Sequence, residues 1–288
     1  MPIRPVHTHV AGTGPSPTRK RIAMTTTAPL PPSPDHDATD AILRISDVTR
    51  RFGTGETAVT ALGGVTLDVR PGEFVCLVGA SGCGKSTLLN IIAGLDAPST
   101  GTVDSGGHSA ALMFQEGGLF PWLTARGNIE LALRLAGVRN RSTRQSRAEE
   151  LLAMVRLADS ADRRPHELSG GMRQRVSLAR ALAQDAPILL MDEPFGALDA
   201  MTRDILHDEI EEVWRSTGVT IVFVTHNVRE AVRLGDRVVV LASRPGRVIE
   251  EFPITFERPR RIEAPEVSAQ AGTIIERLRE EVRRHADD

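Results

Sequence analysis

The stretch Phe74-Val75-Cys76-Leu77-Val78-Gly79-Ala80-Ser81-Gly82-Cys83-Gly84-Lys85-Ser86-Thr87-Leu88-Leu89-Asn90-Ile91-Ile92-Ala93-Gly94 decides the fold class. It opens on a continuous apolar run, the pattern of a strand buried on both faces of a parallel sheet. It closes on a helix that ends in glycine. The turn between them, Gly79 to Thr87, fits G-x-x-x-x-G-K-[ST], and the strand before it and helix after it are the context this motif requires. Glycines let the backbone curl so that successive N–H groups aim at one phosphate cluster. The helix N-terminus adds roughly half a positive charge. On this reading Gly79, Ala80, Ser81, Gly82, Cys83, Gly84 and Thr87 line a cradle, Lys85 reaches the β- and γ-phosphates, and Ser86 offers a hydroxyl to magnesium. The stretch predicts a site for a nucleoside triphosphate.

The strand-then-helix alternation extends outward from this centre. On the N-terminal side, Leu43, Ile45 and Val48 lead to Arg50-Arg51-Phe52, and Val65–Val69 alternates with period two before a turn at Pro71-Gly72. On the C-terminal side, Ile188–Met191, Thr220–Val224 and Arg237–Leu241 read as core strands. A helix over roughly 200–216 is expected to put Ile205, Leu206, Ile210, Val213 and Trp214 on one side. Residues from about 117 to 184 are rich in Leu, Ala and Arg, carry no strand-like run, and read as helical. The class is therefore α/β, with a helical insertion.

The ends differ from the centre. Eight of the 18 prolines fall within the first 34 positions, so residues 1–41 read as a disordered leader that leaves Met1 and Met24 both open as the start. Residues 254–264 read as a polar, proline-bearing linker within a 251–288 tail. The helix expected over 267–285 has Ile274, Ile275, Leu278 and Val282 on one stripe, with surface pairs Glu276/Arg279 and Glu280/Arg284.

Composition narrows the function. The 288 residues carry 35 Lys plus Arg against 37 Asp plus Glu, a formal net charge of −2, so no general pull toward nucleic acid or anionic lipid exists. Cys76 and Cys83 have no metal-ligand spacing and imply neither a disulfide scaffold nor a zinc site. No stretch approaches the roughly 18–20 apolar residues of a spanning helix.

Two further motifs carry chemistry. Met191-Asp192-Glu193-Pro194 ends a buried strand, so Asp192 emerges where ligands of open α/β sheets bind and can hold magnesium directly or through water. Glu193, next to it, can orient an attacking water or take its proton. Leu168-Ser169-Gly170-Gly171-Met172-Arg173-Gln174-Arg175 opens a helix whose serine hydroxyl and two glycine N–H groups make a second anion site. One nucleotide loop with two phosphate cradles suggests that the second cradle, Ser169, Gly170 and Gly171, completes another subunit's site.

Taken together, these motifs resemble the ATP-binding cassette ATPases, the nucleotide-binding subunits of ABC transporters, over about residues 42–250. The resemblance implies a P-loop NTPase (RecA-like) core with a mainly parallel sheet, an antiparallel β edge subdomain and an inserted helical subdomain. It implies ATP and Mg2+, and a homodimer in which Leu168–Gln174 faces the γ-phosphate bound by the opposite subunit. Phe52 matches the aromatic that stacks on adenine, where tyrosine is commoner, though a core residue at a strand end would read the same way. Gln115 matches a glutamine that contacts magnesium and the attacking water, beside the plainer reading of a polar residue ending a strand. Asp199 in Gly196-Ala197-Leu198-Asp199 matches a loop at the dimer interface, and His226 matches a switch histidine on the γ-phosphate. The implied catalytic set is Glu193, His226, Lys85 and Gln115, and the implied magnesium set is Ser86, Gln115 and Asp192.

Lacking a span of its own, such a subunit would act on a separate membrane permease from the cytoplasmic face. Phe120-Pro121-Trp122-Leu123-Thr124 is an apolar patch suited to that contact, unless Trp122 serves a local core. Together with Thr202-Arg203, Val224–Ala231 and Ser243–Arg247, it resembles the nitrate, aliphatic sulfonate and taurine group of bacterial importers, in which a separate binding protein reads the substrate. Residues 102–112 are shorter than in many members. Two alternatives remain: a soluble ABC ATPase acting on ribosomes or DNA, against which the neutral charge counts, and a regulatory cassette that binds ATP without turnover.

Overall fold

The structure, a computed structural model, describes residues 40–286 other than Glu116 and Ala197. The expected proline-rich leader, up to residue 39, lies outside the described residues. Along the chain the strands are β1 (Leu43–Phe52), β2 (Val59–Val69), β3 (Phe74–Gly79), β4 (Thr100–Asp104), β5 (Ala110–Met113), β6 (Ile188–Asp192), β7 (Thr220–Thr225), β8 (Arg237–Leu241) and β9 (Val248–Pro253). The helices are α1 (Lys85–Ile92), α2 (Ala125–Leu135), α3 (Arg141–Met154), α4 (Gly170–Leu182), α5 (Ala200–Thr217), α6 (Val228–Leu234) and α7 (Pro265–Ala286).

β3 sits inside a six-stranded sheet of order β5-β6-β7-β3-β8-β9. Its pairings from β5 to β8 are parallel, and β9 closes the edge antiparallel to β8. The continuous apolar runs behave as expected of strands covered on both sides. Val75 and Leu77 point into a cluster with Leu88, Leu89 and the β1–β2 residues, while Phe74, Cys76 and Val78 point into a cluster with the helices. Both cysteines are free and buried. A separate antiparallel sheet, order β2-β1-β4, covers the α1 side. This is the P-loop NTPase architecture implied by the motifs, antiparallel sheet included.

The helical insertion consists of α2, α3 and α4, with α4 packing against α2, α3, α5 and β5. Polar side chains start these helices: Thr124 Oγ1 accepts from Gly127 N, Asn140 from Thr143 N and Ser169 from Met172 N. α5 begins in the same way at Asp199.

The expected apolar stripes are narrower than their sequence suggests. Leu206, Ile210 and Val213 are buried on α5 and Trp214 packs against the core, but Ile205 is exposed. On α7 the inward line is Val267, Ala271, Ile274 and Leu278, continued by the buried Glu281, which pairs with Arg247 at 2.9 Å, while Val282 is exposed. Glu276 and Arg279 pair at 3.5 Å, and Glu280 pairs with Arg277 at 3.4 Å. The side chain of Arg284 lies outside the described residues.

Residues 254–264, expected as a linker, form a strap instead. Arg260 is buried and donates to the carbonyls of Val232, Gly235, Ile254 and Phe256, capping the C-terminal end of α6. Burial, then the neighbouring Arg258, lowers the Arg260 guanidinium to about 10.

Candidate functional site

The parallel register sets the ends of the strands level. Met113 pairs with Met191, Asp192 with Val224, and Val78 with Thr225. The phosphate loop after β3, Gln115 after β5, Asp192 and Glu193 at the end of β6, and His226 after β7 therefore share the carboxyl edge, where open α/β sheets take their ligands.

The loop depends on glycine at Gly84. Its φ is +89°, and a Cβ there would lie 2.6 Å from Leu62 Cδ2 and 2.8 Å from the Ala61 carbonyl. Lys85 is buried and spans the loop, its Nζ donating to Gly79 O at 2.9 Å and Ala80 O at 3.2 Å. Cys83 is buried beneath it, while Ser81, Gly82 and Ser86 are exposed at the mouth and Thr87 is half-buried. The Ser86 hydroxyl lies close enough to the Asp192 carboxyl to lower its pKa, which brings together the hydroxyl and carboxylate expected to hold magnesium. Burial raises the Asp192 pKa above its usual value, Ser86 and Lys85 pull it down, and Glu193 pushes it up.

Glu193 has a φ of +43°, a strained left-handed conformation for a residue with a long side chain. Its N–H donates to Val224 O at 3.0 Å, which locks the turn to the end of β7. The result aims Glu193 at His226, whose Nδ1 lies 2.9 Å from Glu193 Oε2. A carboxylate can only accept, so the imidazole presents its Nδ1–H to it and leaves Nε2 free to face solvent.

Gln115 is exposed beyond β5, with its backbone carbonyl held by Gln174 Nε2 at 3.0 Å. Further along α4, Ser177 bonds Gly117 O at 2.9 Å and Arg180 bonds the carbonyls of Gly117 and Gly118. Sequence reasoning singles out none of these three side chains as holding the Gln115 loop, although their i, i+3, i+6 spacing puts them on one helix face.

Ser169, Gly170 and Gly171 lie at the N-terminus of the same helix. Ser169 is exposed, and its Oγ accepts from Met172 N at 3.3 Å. Gly171 is buried, and a Cβ on it would meet Thr202 Cγ2 at 2.5 Å, so packing against α5 requires glycine there as well. Asp199 accepts from Thr202 N at 3.0 Å, and the Thr202 backbone and hydroxyl hold its carboxylate below its usual pKa.

The apolar candidates are at the surface. Phe52 is 43% exposed with the Arg50 guanidinium 4.6 Å from its ring centroid, and Trp122 is 69% exposed and 5.4 Å from the Phe120 ring. Both core readings therefore fail. Asn128 fixes the Phe120–Thr124 turn, accepting from Phe120 N and donating to Phe120 O and Thr124 O. Phe114, which sequence reasoning passes over, is also exposed, beside Gln115.

A phosphate loop between a buried parallel strand and a helix, with an Asp-Glu pair closing the strand beyond its neighbour, defines a P-loop NTPase cassette. Comparisons with known proteins narrow this class. The family described as "ABC transporter" matches residues 62–196. A taurine import ATP-binding protein of Mesorhizobium japonicum is 50% identical over 67% of this chain and 78% of that protein. A nitrate import ATP-binding protein of Synechocystis is 44% identical over 74% of this chain and 83% of that protein. A dimeric post-hydrolysis structure of the ATP-binding cassette MJ0796 with ADP and Pi superposes with a TM-score of 0.66 at 36% identity, covering 75% of this chain and all of that one. The chain belongs to the ABC transporter family, as an ATP-hydrolysing cassette of the nitrate, sulfonate and taurine importer group.

Proposed function

We propose that this cassette energises uptake of a small oxyanion, such as an aliphatic sulfonate, taurine or nitrate, through a separate permease at the cytoplasmic face of the membrane. Relatives named for taurine and nitrate import support the substrate class. Among the described residues no helix is long and apolar enough to cross a membrane, and on this reading the path for the solute is supplied by the permease. The exposed Phe120–Trp122 pair is the surface we assign to the permease, and a binding protein outside the membrane delivers the solute.

The observation that carries the catalytic reading is the Glu193–His226 pair at the mouth of the phosphate loop. Two cassettes sandwich ATP, with Ser169, Gly170 and Gly171 of one facing the triphosphate in the loop of the other, and Asp199 at the interface between them. Phe52 stacks on the adenine as a plain π-surface. Glu193 orients a water and accepts its proton as the water oxygen attacks the γ-phosphorus and the bond to the β-phosphate oxygen breaks. Lys85, His226 and the facing serine supply donors to the charge that develops, and Gln115 holds the water.

The donor set suits magnesium. The Ser86 hydroxyl and the Asp192 carboxyl lie close together. A hydroxyl beside a single carboxylate fits an ion that prefers oxygen ligands and is usually held by one or two carboxylates together with substrate phosphates. Ser86, Asp192 and Gln115 would hold it, and it would neutralise charge on the β- and γ-oxygens.

The test is purification of the Glu193→Gln cassette with its co-expressed permease in Mg·ATP. Closure of two cassettes over two nucleotides, read by cross-linking Ser169→Cys to Ser81→Cys, is the expected result. Absence of the cross-link at saturating ATP overturns the sandwich, and a stoichiometric ribosome or DNA partner in place of a permease overturns the transport assignment.

A further inference from the structure

A second histidine, His207, lies away from the nucleotide edge. It is on α5, two turns beyond Asp199, and is completely buried. Its Nε2 is 2.6 Å from Glu230 Oε1 on α6, and its Nδ1 is 2.9 Å from Arg233 Nη1. Phe195, two residues past Glu193, meets the ring edge-on at 5.4 Å. A guanidinium only donates, so Nδ1 is the acceptor and the ring proton sits on Nε2, directed at Glu230. Arg233 is itself held by Asp204 at 3.2 Å and Asp208 at 2.6 Å, which fixes the tautomer from behind.

Glu230 is buried, and both of its oxygens are engaged. Oε1 accepts from His207 Nε2–H, and Oε2 accepts from the Thr225 hydroxyl. That hydroxyl also accepts from Asn227 N at 3.0 Å, and the Asn227 side chain caps α6 by accepting from Arg229 N and Glu230 N. The residue enclosed by Thr225 and Asn227 is His226. A chain of hydrogen bonds thus runs from α5 through His207, Glu230 and Thr225 to the backbone on both sides of the histidine that faces Glu193.

We propose that His207 is a positioning residue for hydrolysis: by donating to Glu230 it sets the Thr225–Asn227 turn and thereby the distance between His226 and Glu193. The same link ties α5, which starts at Asp199, to the turn carrying His226. A shift of α5 therefore moves the pair that handles the water. The inference rests on the reading of His226 and Glu193 given above.

The experiment is steady-state ATP hydrolysis by the full-length chain in Mg·ATP, for His207→Asn, His207→Gln, His226→Ala and the double variant His207→Asn/His226→Ala. The Gln amide reaches where Nε2 was and still donates to Glu230, whereas the Asn amide reaches only as far as Nδ1. The expected result is a kcat about tenfold lower for His207→Asn, the scale of a misplaced reacting geometry, with most of it restored in His207→Gln. KM for ATP stays within about twofold, because the phosphate loop and the adenine surface, which hold most of the nucleotide, are untouched. In the His226→Ala background His207→Asn costs nothing more, since its effect travels through that residue. An additive loss, or equal losses in Asn and Gln variants that follow their melting temperatures, overturns the inference. Unchanged kcat in His226→Ala instead overturns the reading on which it rests. Should His207→Asn not fold, Thr225→Val cuts the same chain at its other end, and wild-type kcat in that variant is equally fatal.

Discussion

His226 Nδ1 lies 2.9 Å from Glu193 Oε2, so the two residues that end adjacent parallel strands meet across the mouth of the phosphate loop. The contact joins side chains 33 positions apart, and it exists because Asp192 and Val224 are in register. Glu193 in its left-handed conformation turns back toward β7 to complete it.

This pairing makes the two residues separable by substitution. Glu193→Gln keeps the shape and the hydrogen bond but cannot take a proton. Its turnover should fall at least ~100-fold, the scale of a general base, while binding of a non-hydrolysable ATP analogue stays within a few fold. His226→Ala should lower turnover too, by releasing Glu193 from its fixed direction. Single-turnover hydrolysis alongside equilibrium nucleotide binding separates the effects, and near-normal turnover in Glu193→Gln would remove that residue from the role.

Asp192 gives a pH-dependent stability with a definite sign. Its pKa is raised on folding, chiefly by burial, so the folded chain binds this proton more tightly than the unfolded chain. Between the ordinary carboxyl value and the raised one, stability contributed by this group falls as pH rises. Above both, the full cost of the buried charge remains. Asp192→Asn should therefore melt at a higher temperature than the parent at pH 7, with the gap closing as pH is lowered through that window. The same variant should lose Mg2+-dependent hydrolysis. A lower melting temperature for Asp192→Asn at pH 7 would contradict this account of the raised pKa.

Gly171 combines a proposed ligand contact with a packing constraint. A Cβ there would sit 2.5 Å from Thr202 Cγ2. Gly171→Ala should destabilise the chain by about 1–3 kcal/mol through overpacking between α4 and α5. Thr202→Ser removes the offending methyl and should restore most of that loss in the double variant. Chemical denaturation of the four proteins supplies the cycle. If hydrolysis remains low after stability is restored, the glycine also serves the facing nucleotide.

The sequence exposes some parts of this molecule and hides others for physical reasons. Gly79–Thr87 is legible because a phosphate cradle is local: every atom that shapes it comes from nine consecutive residues between a strand and a helix. Asp192, Glu193 and His226 are legible because apolar runs ending in polar residues mark the ends of buried strands. The His207–Glu230–Thr225 chain is not legible, since His207 and Glu230 meet only when α5 and α6 pack, and a single histidine in a helix carries no signal by itself. Arg260 escapes notice for the same reason, its carbonyl partners being split between the C-terminal end of α6 and the strap itself. Ile205 and Val282 mislead because the apolar arc of a helix is wide, and residues at its margin are decided by the neighbour's shape. Gln174, Ser177 and Arg180 share a helix face that spacing predicts, yet nothing in spacing names the loop they hold.

The Phe120–Trp122 surface makes a claim that hydrolysis alone does not test. Trp122 projects from a turn that Asn128 pins by hydrogen bonds to Phe120 and Thr124, so the ring is presented on a rigid base. It is 69% exposed, and removing an exposed side chain of this kind changes stability by no more than about 0.5 kcal/mol. Trp122→Ala should therefore leave the melting temperature and the hydrolysis rate of the cassette alone as they are. In the presence of the permease the effect should be large, because an aromatic anchor at an interface is commonly worth ~2 kcal/mol or more, about thirtyfold in affinity. Reconstituted transport, or retention of the permease on immobilised cassette, measures it. Equal retention by Trp122→Ala and the parent would move the docking surface elsewhere on the molecule.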